Sequence, residues 1–372
     1  MFFVKLIMKK KNLIYTGLLI VILSFIFFNK EENKHPENQN EIISNLHQNI
    51  SKRVFNSSMK LTKRDSITYE GKAFLIFLNK EKFWLLDNYS NKIVSYSKNL
   101  EFKESIGVRG ESPSEHQSIK NADFIEKGYY TFDFEQQMIK KFTTKKNIDS
   151  LNYYMSFRDN DLWISDCTSI GEDIFLTANS NDFDFNFSIY NIKQKKIISK
   201  IDIVPIIKQL YPLYNIPEKG RDIIFEGYFS KSPNDKIIYS CNKIGAVFLF
   251  TEKGEFIKAF KTIDELGVPK FKLKNVGNGI KMHTLEPDFY GNYSRAINND
   301  FIFILSNILS EKYSENRILD VYNPKEGDYL FSYLLDNLKD GQKPDQIVAD
   351  EKYLYVLFEN SSINRYEITY KK

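Results

Sequence analysis

Leu85-Leu86-Asp87-Asn88-Tyr89-Ser90-Asn91-Lys92-Ile93-Val94-Ser95-Tyr96 returns, about 46 residues later, as Thr131-Phe132-Asp133-Phe134-Glu135-Gln136-Gln137-Met138-Ile139-Lys140-Lys141-Phe142. Asp, Ile and an aromatic residue recur at the same offsets. Each copy reads as two strands joined by a turn, because apolar runs of strand length flank Asn, Asp, Ser and Gln. A period of roughly 40–50 residues in a β-rich chain is the mark of a propeller blade.

Four looser copies follow. They are Ile189-Tyr190-Asn191 with Lys196-Ile197-Ile198, Phe250-Thr251 with Ile257-Lys258-Ala259-Phe260, Leu319-Asp320-Val321-Tyr322 with Tyr329-Leu330-Phe331, and Tyr355-Val356-Leu357 with Ile363-Asn364-Arg365-Tyr366. Six hairpins over about 310 residues give roughly 50 per blade, within the range of propeller repeats. The expectation is an all-β, six-bladed β-propeller of four-stranded antiparallel blades, spanning residues 59–372. Open sheets leave unpaired edges, and a ring removes them. The segment from Met59-Lys60-Leu61 to Ile67-Thr68-Tyr69 is therefore expected to complete the last blade beside Ile363 to Tyr370. Two stretches break the rhythm. Ile203 to Gly220 carries an apolar pattern that suits a short helix on one face. Leu266 to Tyr290 shows no clear strands and reads as a long insertion of the kind that often carries function.

Between the first two copies lies Ser105-Ile106-Gly107-Val108-Arg109-Gly110-Glu111-Ser112-Pro113-Ser114-Glu115-His116. Together with Leu86-Asp87 and Ile93-Val94-Ser95-Tyr96, it resembles the NHL-like and TolB-like six-bladed propellers, in particular exported propeller proteins common in Bacteroidota. Gly107, Gly110, Pro113 and Glu115 sit at matching positions. Ser112 and Ser114 stand where that pattern carries Gly, and His116 where it carries an aromatic or apolar residue. The resemblance implies the fold, an envelope location and mostly binding or unknown roles; it implies no catalytic residues. The glycines also have a structural reading, since a tight crossing between blades needs backbone angles that Gly tolerates. A phosphate loop would instead open a helix with Lys-Ser/Thr.

The chain has 372 residues, 15 % of them aromatic, and a formal net charge of +4. Lys5, Lys9, Lys10 and Lys11 supply four of the 52 basic residues, which leaves 48 against 48 acidic ones. No basic face of the kind that binds nucleic acid is implied. The lysines precede an apolar run from Leu13 to Phe28, the layout of a signal peptide or signal anchor. Residues 1–29 are read as that membrane segment and 30–58 as a polar spacer. The positive-inside rule places the body outside, so the expected location is periplasmic or cell-surface, tethered unless the segment is cleaved. Cys167 and Cys241 fall in adjacent blades; they read as free, buried thiols, although an exported protein could join them.

Catalytic chemistry finds little support. No Gly-x-Ser-x-Gly elbow is present, and two cysteines with four histidines do not make a zinc site. Asp182, Asp184 and Asn186 alternate onto one face, as a Ca²⁺ site would require, but a strand with one wet face explains them too. No metal and no cofactor is expected. The chemistry-bearing loop residues Arg109, Glu115, His116 and His283 are the candidate ligand-binding residues, with His116 read as a surface loop side chain. Three functions remain open. The first is a non-catalytic module that binds a protein, peptide or glycan through its loop face or channel mouth. The second is an enzyme, a propeller lyase or Ca²⁺-dependent hydrolase, which needs polar residues converging from several inner strands. The third is an assembly scaffold.

Overall fold

The computed structural model describes residues 52–55 and 59–370, apart from 79–81, 88, 126–127, 146–147, 159–161, 182–183, 233–235, 265, 276–280, 287 and 309–314. Six four-stranded antiparallel sheets follow one another along the chain. The N-terminal strand β1 (Met59–Thr68) is followed by a first blade of β2 (Ala73–Leu78), β3 (Lys82–Asp87), β4 (Lys92–Ser97) and β5 (Phe102–Ile106). The second blade is β6 (Ile119–Ile125), β7 (Gly128–Asp133), β8 (Met138–Lys145) and β9 (Ile148–Ser156). The third is β10 (Trp163–Gly171), β11 (Ile174–Asn181), β12 (Asp184–Asn191) and β13 (Lys196–Asp202). The fourth follows two short helices, α1 (Val204–Leu210) and α2 (Arg221–Ile224), and is β14 (Gly227–Lys231), β15 (Ile237–Cys241), β16 (Ala246–Phe250) and β17 (Phe256–Lys261). A hairpin of β18 (Lys270–Asn275) and β19 (Lys281–Glu286) precedes the fifth blade, β20 (Asn292–Ile297), β21 (Ile302–Ser306), β22 (Asn316–Tyr322) and β23 (Tyr329–Asp336). The sixth blade takes β24 (Pro344–Ala349), β25 (Tyr353–Phe358) and β26 (Ser362–Tyr370) from the C-terminus and β1 from the N-terminus. Met59 pairs with Tyr370 and Thr68 with Ser362, so the ring closes as the edge argument requires.

The apolar runs are continuous, not alternating, because each blade buries both faces. Phe83 and Leu85 pack toward Tyr355 and Leu357 of the sixth blade. Trp84 and Leu86, on the opposite face of the same strand, pack toward Ile119 and Tyr129 of the second. The same division holds around the ring, and each buried cluster lies between two neighbouring blades. Side chains that alternate across a strand thus serve two interfaces, which forces apolar residues at successive positions.

The repeated Asp has a local role. Asp87 Oδ1 accepts from the backbone N–H of Tyr89 (2.9 Å) and Ser90 (3.2 Å), which fixes the turn into β4. Asp133 accepts from Gln117 N–H (2.8 Å), Ser118 N–H (3.3 Å) and Gln136 N–H (3.1 Å), tying that turn to the crossing from the previous blade. Two expectations need correction. Three of the looser copies, near Ile189, Phe250 and Leu319, are the hairpins of third and fourth strands, not of second and third. The turns misled because they share one geometry: Asn91 and Gln137 in the second-to-third turns, and Lys195, Gly254 and Gly327 in the third-to-fourth, all have positive φ. The insertion after Leu266 does contain strands, since Phe271 and Leu273 alternate with Lys270, Lys272 and Lys274 in β18. The short helix expected near Ile206 is α1, whose Ile207 is buried between the third and fourth blades.

Residues 52–55, within the stretch read as spacer, dock on the fifth blade. Phe55 bridges to Ser332, and Val54 C=O accepts from Ser332 N–H (2.9 Å). The Arg53 side chain is fully buried, with Nε donating to Asp320 Oδ1 (2.8 Å), Nη2 to Asp320 Oδ2 (2.7 Å) and Nη2 also to Asp264. Cys167 and Cys241 are both buried and free. Among the described residues no helix is long and apolar enough to cross a membrane; the run from Leu13 to Phe28, and Asp182 of the acidic strand, lie outside them.

Candidate functional site

The first strand of each blade faces the channel, and five of the six carry the same irregularity at their start. The register of β2 with β3 slips between Ala73 and Leu75, and that of β6 with β7 between Ile119 and Asn121. The same slip occurs between Ile164 and Asp166 in β10, Asn292 and Ser294 in β20, and Pro344 and Gln346 in β24. Only β14 pairs without it. A bulge adds one residue to one strand and re-aims its side chain. The added residues Phe74, Lys120, Tyr293 and Asp345 all line a cavity of about 780 Å³ in the channel, a size that suits a small-molecule or peptide-end ligand.

The walls of this cavity differ in character. Blades one and two contribute Phe74, Ile76, Leu78, Trp84 and Phe124. Trp84 stacks on Phe124 at 3.6 Å between ring centroids. Blades two to six bring Lys120, Asp166, Tyr228, Arg295 and Asp345. Phe74, Tyr290 and Tyr293 are about 40 % exposed and rim the opening with aromatic rings.

The polar groups fall into two sets. Several are used to join the inner strands. Asp166 accepts from Phe229 N–H (2.7 Å) and from Asn121 Nδ2 (3.3 Å), which links three blades. Ser294 Oγ accepts from Ile347 N–H (3.1 Å), and Gln346 donates to Phe74 C=O. Asp345 hydrogen-bonds the Tyr293 hydroxyl. The second set is cationic. Arg295 is 8 % exposed and its guanidinium carbon lies 4.5 Å from the centroid of the Tyr228 ring. Lys120 Nζ lies 4.8 Å from the same ring and 4.5 Å from that of Phe134. Neither cation has a hydrogen-bond acceptor among the described residues. Burial pushes Arg295 and Lys120 below their usual ranges, against the pull of Asp166. Burial likewise raises the Asp166 carboxyl, and it lifts the Tyr228 hydroxyl to about 12.

The residues singled out from sequence lie elsewhere. Arg109 and His116 form a bridge within the crossing from the first to the second blade, where His116 N–H donates to Val108 C=O (2.9 Å). Arg109 is exposed and donates to Tyr89 C=O (2.7 Å). Glu115 accepts from Ser112 N–H (3.0 Å), which holds its carboxyl below the usual range. His116 is fully buried, not a surface side chain; its ring lies edge-on to Phe142 at 5.2 Å, and burial lowers it to about 4. His283 pairs with Leu273 in the β18–β19 hairpin, away from the other three in the chain. Arg109, Glu115 and His116 do not line the channel cavity. Among the described residues no group of three or more His, Cys, Asp or Glu is placed to hold a metal ion. The channel cations are not legible in the sequence because Lys120 and Arg295 stand alone in strands 175 residues apart (295 − 120). The one signal is a charged residue inside a first strand next to a buried apolar one, as Lys120 is after Ile119 and Arg295 is before Ala296.

No protein-family model matches the chain, and no curated protein matches it. Solved structures do. A protein from Bacteroides fragilis NCTC 9343 described as exported is 12 % identical, with a TM-score of 0.54 over 85 % of this chain and 96 % of that one. A member of the DUF4221 family from Bacteroides vulgatus ATCC 8482 is 8 % identical, with a TM-score of 0.50 over 84 % of this chain and 99 % of that one. At these identities the likeness is one of fold, and that fold is the six-bladed β-propeller.

Proposed function

We propose that this chain is an exported propeller, held in the envelope by its N-terminal apolar run, that binds a protein, peptide or glycan at its channel mouth without turning it over. The observation that carries the reading is the pair Arg295 and Lys120, set in a cavity of about 780 Å³ with no hydrogen-bond acceptor among the described residues and an aromatic rim above them. The donors of both side chains open into the cavity, where water is their partner, and a ligand that supplies acceptors takes the place of that water. The basic cluster before Leu13 and the fold neighbour described as exported support the location. The channel is preferred to the loop face because the charged groups of Arg109 and Glu115 are already engaged within their own crossing.

A catalytic reading draws on the same convergence of Lys120, Asp166 and Tyr228 from three blades. Asp166 is held by Phe229 N–H and Asn121, and Tyr228 titrates near 12, so neither serves as a base at neutral pH. The binding reading is tested by thermal-shift screening of peptides and oligosaccharides on the full chain, with each hit repeated on Phe74→Ala and on Tyr290→Ala, which trim the cavity rim at two exposed rings. Hits are expected to stabilise the wild type and to lose that effect in both variants. Equal stabilisation of all three proteins would place the site on the loop face.

A further inference from the structure

The channel walls specify more than a binding site. Arg295 presents a planar fork of donors, and Lys120 stands against the same Tyr228 ring. Such a fork is matched by a flat acceptor with two oxygens, which is a carboxylate. Asp166 lies buried close enough to act on both cations, and Glu226 adds its field at Lys120. The two positive charges are therefore partly offset, and a ligand needs to bring acceptors with no more than a single negative charge. A dianion such as a phosphate monoester would meet the Asp166 carboxylate, whereas a monoanion would not be repelled strongly. Lys82 is paired with Glu104, Lys231 donates to Ser169 C=O (3.0 Å), and Asp345 is bonded to Tyr293, so the other charged wall groups are spoken for.

The facing wall sets the rest of the ligand. Leu75 and Phe77 from β2, with Trp84 and Phe124, form one apolar cluster on the side of the second blade, and the exposed Phe74 adjoins it in the cavity wall. A polyhydroxylated body would leave its hydroxyls unpaired against this strip, at the cost of unmade hydrogen bonds. An apolar or aromatic body would gain from burial there. Resting on the channel-binding reading above, we propose that the ligand is a monocarboxylate carried on an apolar or aromatic body, its carboxylate on Arg295 and Lys120 and its body along Phe74, Leu75 and Phe77, beside Trp84. The same chemistry is offered by a free hydrophobic acid and by the C-terminal residue of a peptide that ends in a large apolar side chain.

The test uses the full chain in mild detergent and titration calorimetry with four probes. These are 4-phenylbutyrate, its primary amide, a hexapeptide ending in Phe with a free C-terminus, and the same peptide amidated. The free acid or the free-ended peptide is expected to bind at least about tenfold more tightly than its amide, the usual worth of a charge-assisted pair. Which of the two binds distinguishes the sources. Arg295→Met and Lys120→Met should each erase the preference for acid over amide. Arg109→Ala, in the exposed crossing, should leave it intact. Two variants at different strands guard against one that fails to fold. Acid and amide bound equally, with Phe74→Ala weakening both, would overturn the carboxylate assignment while leaving a channel site standing. Binding of none of the four probes, or loss of binding in Arg109→Ala alone, would also overturn it, and the screening hits would then decide the channel reading separately.

Discussion

His116 shows how a single buried side chain can set a pH limit for the fold. Both ring nitrogens are buried without a hydrogen-bond partner, Phe142 packs against the ring, and the charges nearest to it are Lys140 and Asp133. Burial and Lys140 lower its pKa from 6.5 to about 4, and Asp133 only partly offsets them. A group whose folded pKa is depressed leaves the unfolded chain binding more protons between the two values. Its contribution is therefore fully present above pH 6.5 and is lost as pH falls from there toward 4. The fall corresponds to about 3 kcal/mol. Urea unfolding at pH 7.0 and pH 4.5 should show a smaller loss for His116→Phe than for wild type; equal losses would show that His116 does not carry the effect. At this scale the sequence is legible where a residue acts on its own backbone. Asp87 and Asp133 were expected to mark turns, and they do so by accepting from the turn amides. It is not legible where a residue's direction depends on a bulge, because one inserted residue reverses which face a side chain occupies. Lys120 and Tyr293 point into the channel for that reason.

Among the elements, the four-residue strap of 52–55 carries a large effect for its length. Arg53 brings its charge into a fully buried site between Asp264, in the turn after β17, and Asp320 of β22. Burying the guanidinium is costly, and the two carboxylates offset that cost only while all three groups are present. Arg53→Met would leave Asp264 and Asp320 facing each other without a cation. Removing one partner of a buried pair costs about 3–5 kcal/mol, so urea unfolding should show a loss of that order. A loss under about 1 kcal/mol would mean that the strap is not held through Arg53. Nothing in the sequence marked this contact, because Arg53 sits in a polar stretch without apolar periodicity and its partners lie more than 200 residues away. The strands were more legible. Phe83 to Leu86 announced itself as a continuous apolar run, and it is continuous because neighbouring blades bury both of its faces. Pairing order was less legible than strand existence, since turns with a positive φ join second to third strands in some blades and third to fourth strands in others.

For the whole molecule, six blades and the closing strand were readable because a ring must satisfy every sheet edge, and that constraint acts along the entire chain. The contents of the channel were not readable, since they depend on six first strands meeting at one axis. That meeting is what turns isolated residues such as Arg295 and Lys120 into a site. The chain holds only two tryptophans, Trp84 in the cavity wall and Trp163 about half exposed on another blade. Trp163→Phe therefore leaves Trp84 as the single indole reporter of channel occupancy. The most direct measurement is Trp84 emission in that protein during titration with the ligand that calorimetry has shown to bind. A ligand seated on Arg295 and Lys120 against the Trp84 wall predicts a saturable change that follows the calorimetric isotherm and vanishes in the Arg295→Met background. Binding by calorimetry with Trp84 emission unmoved, or an unchanged response in Arg295→Met, would contradict the channel as the binding site.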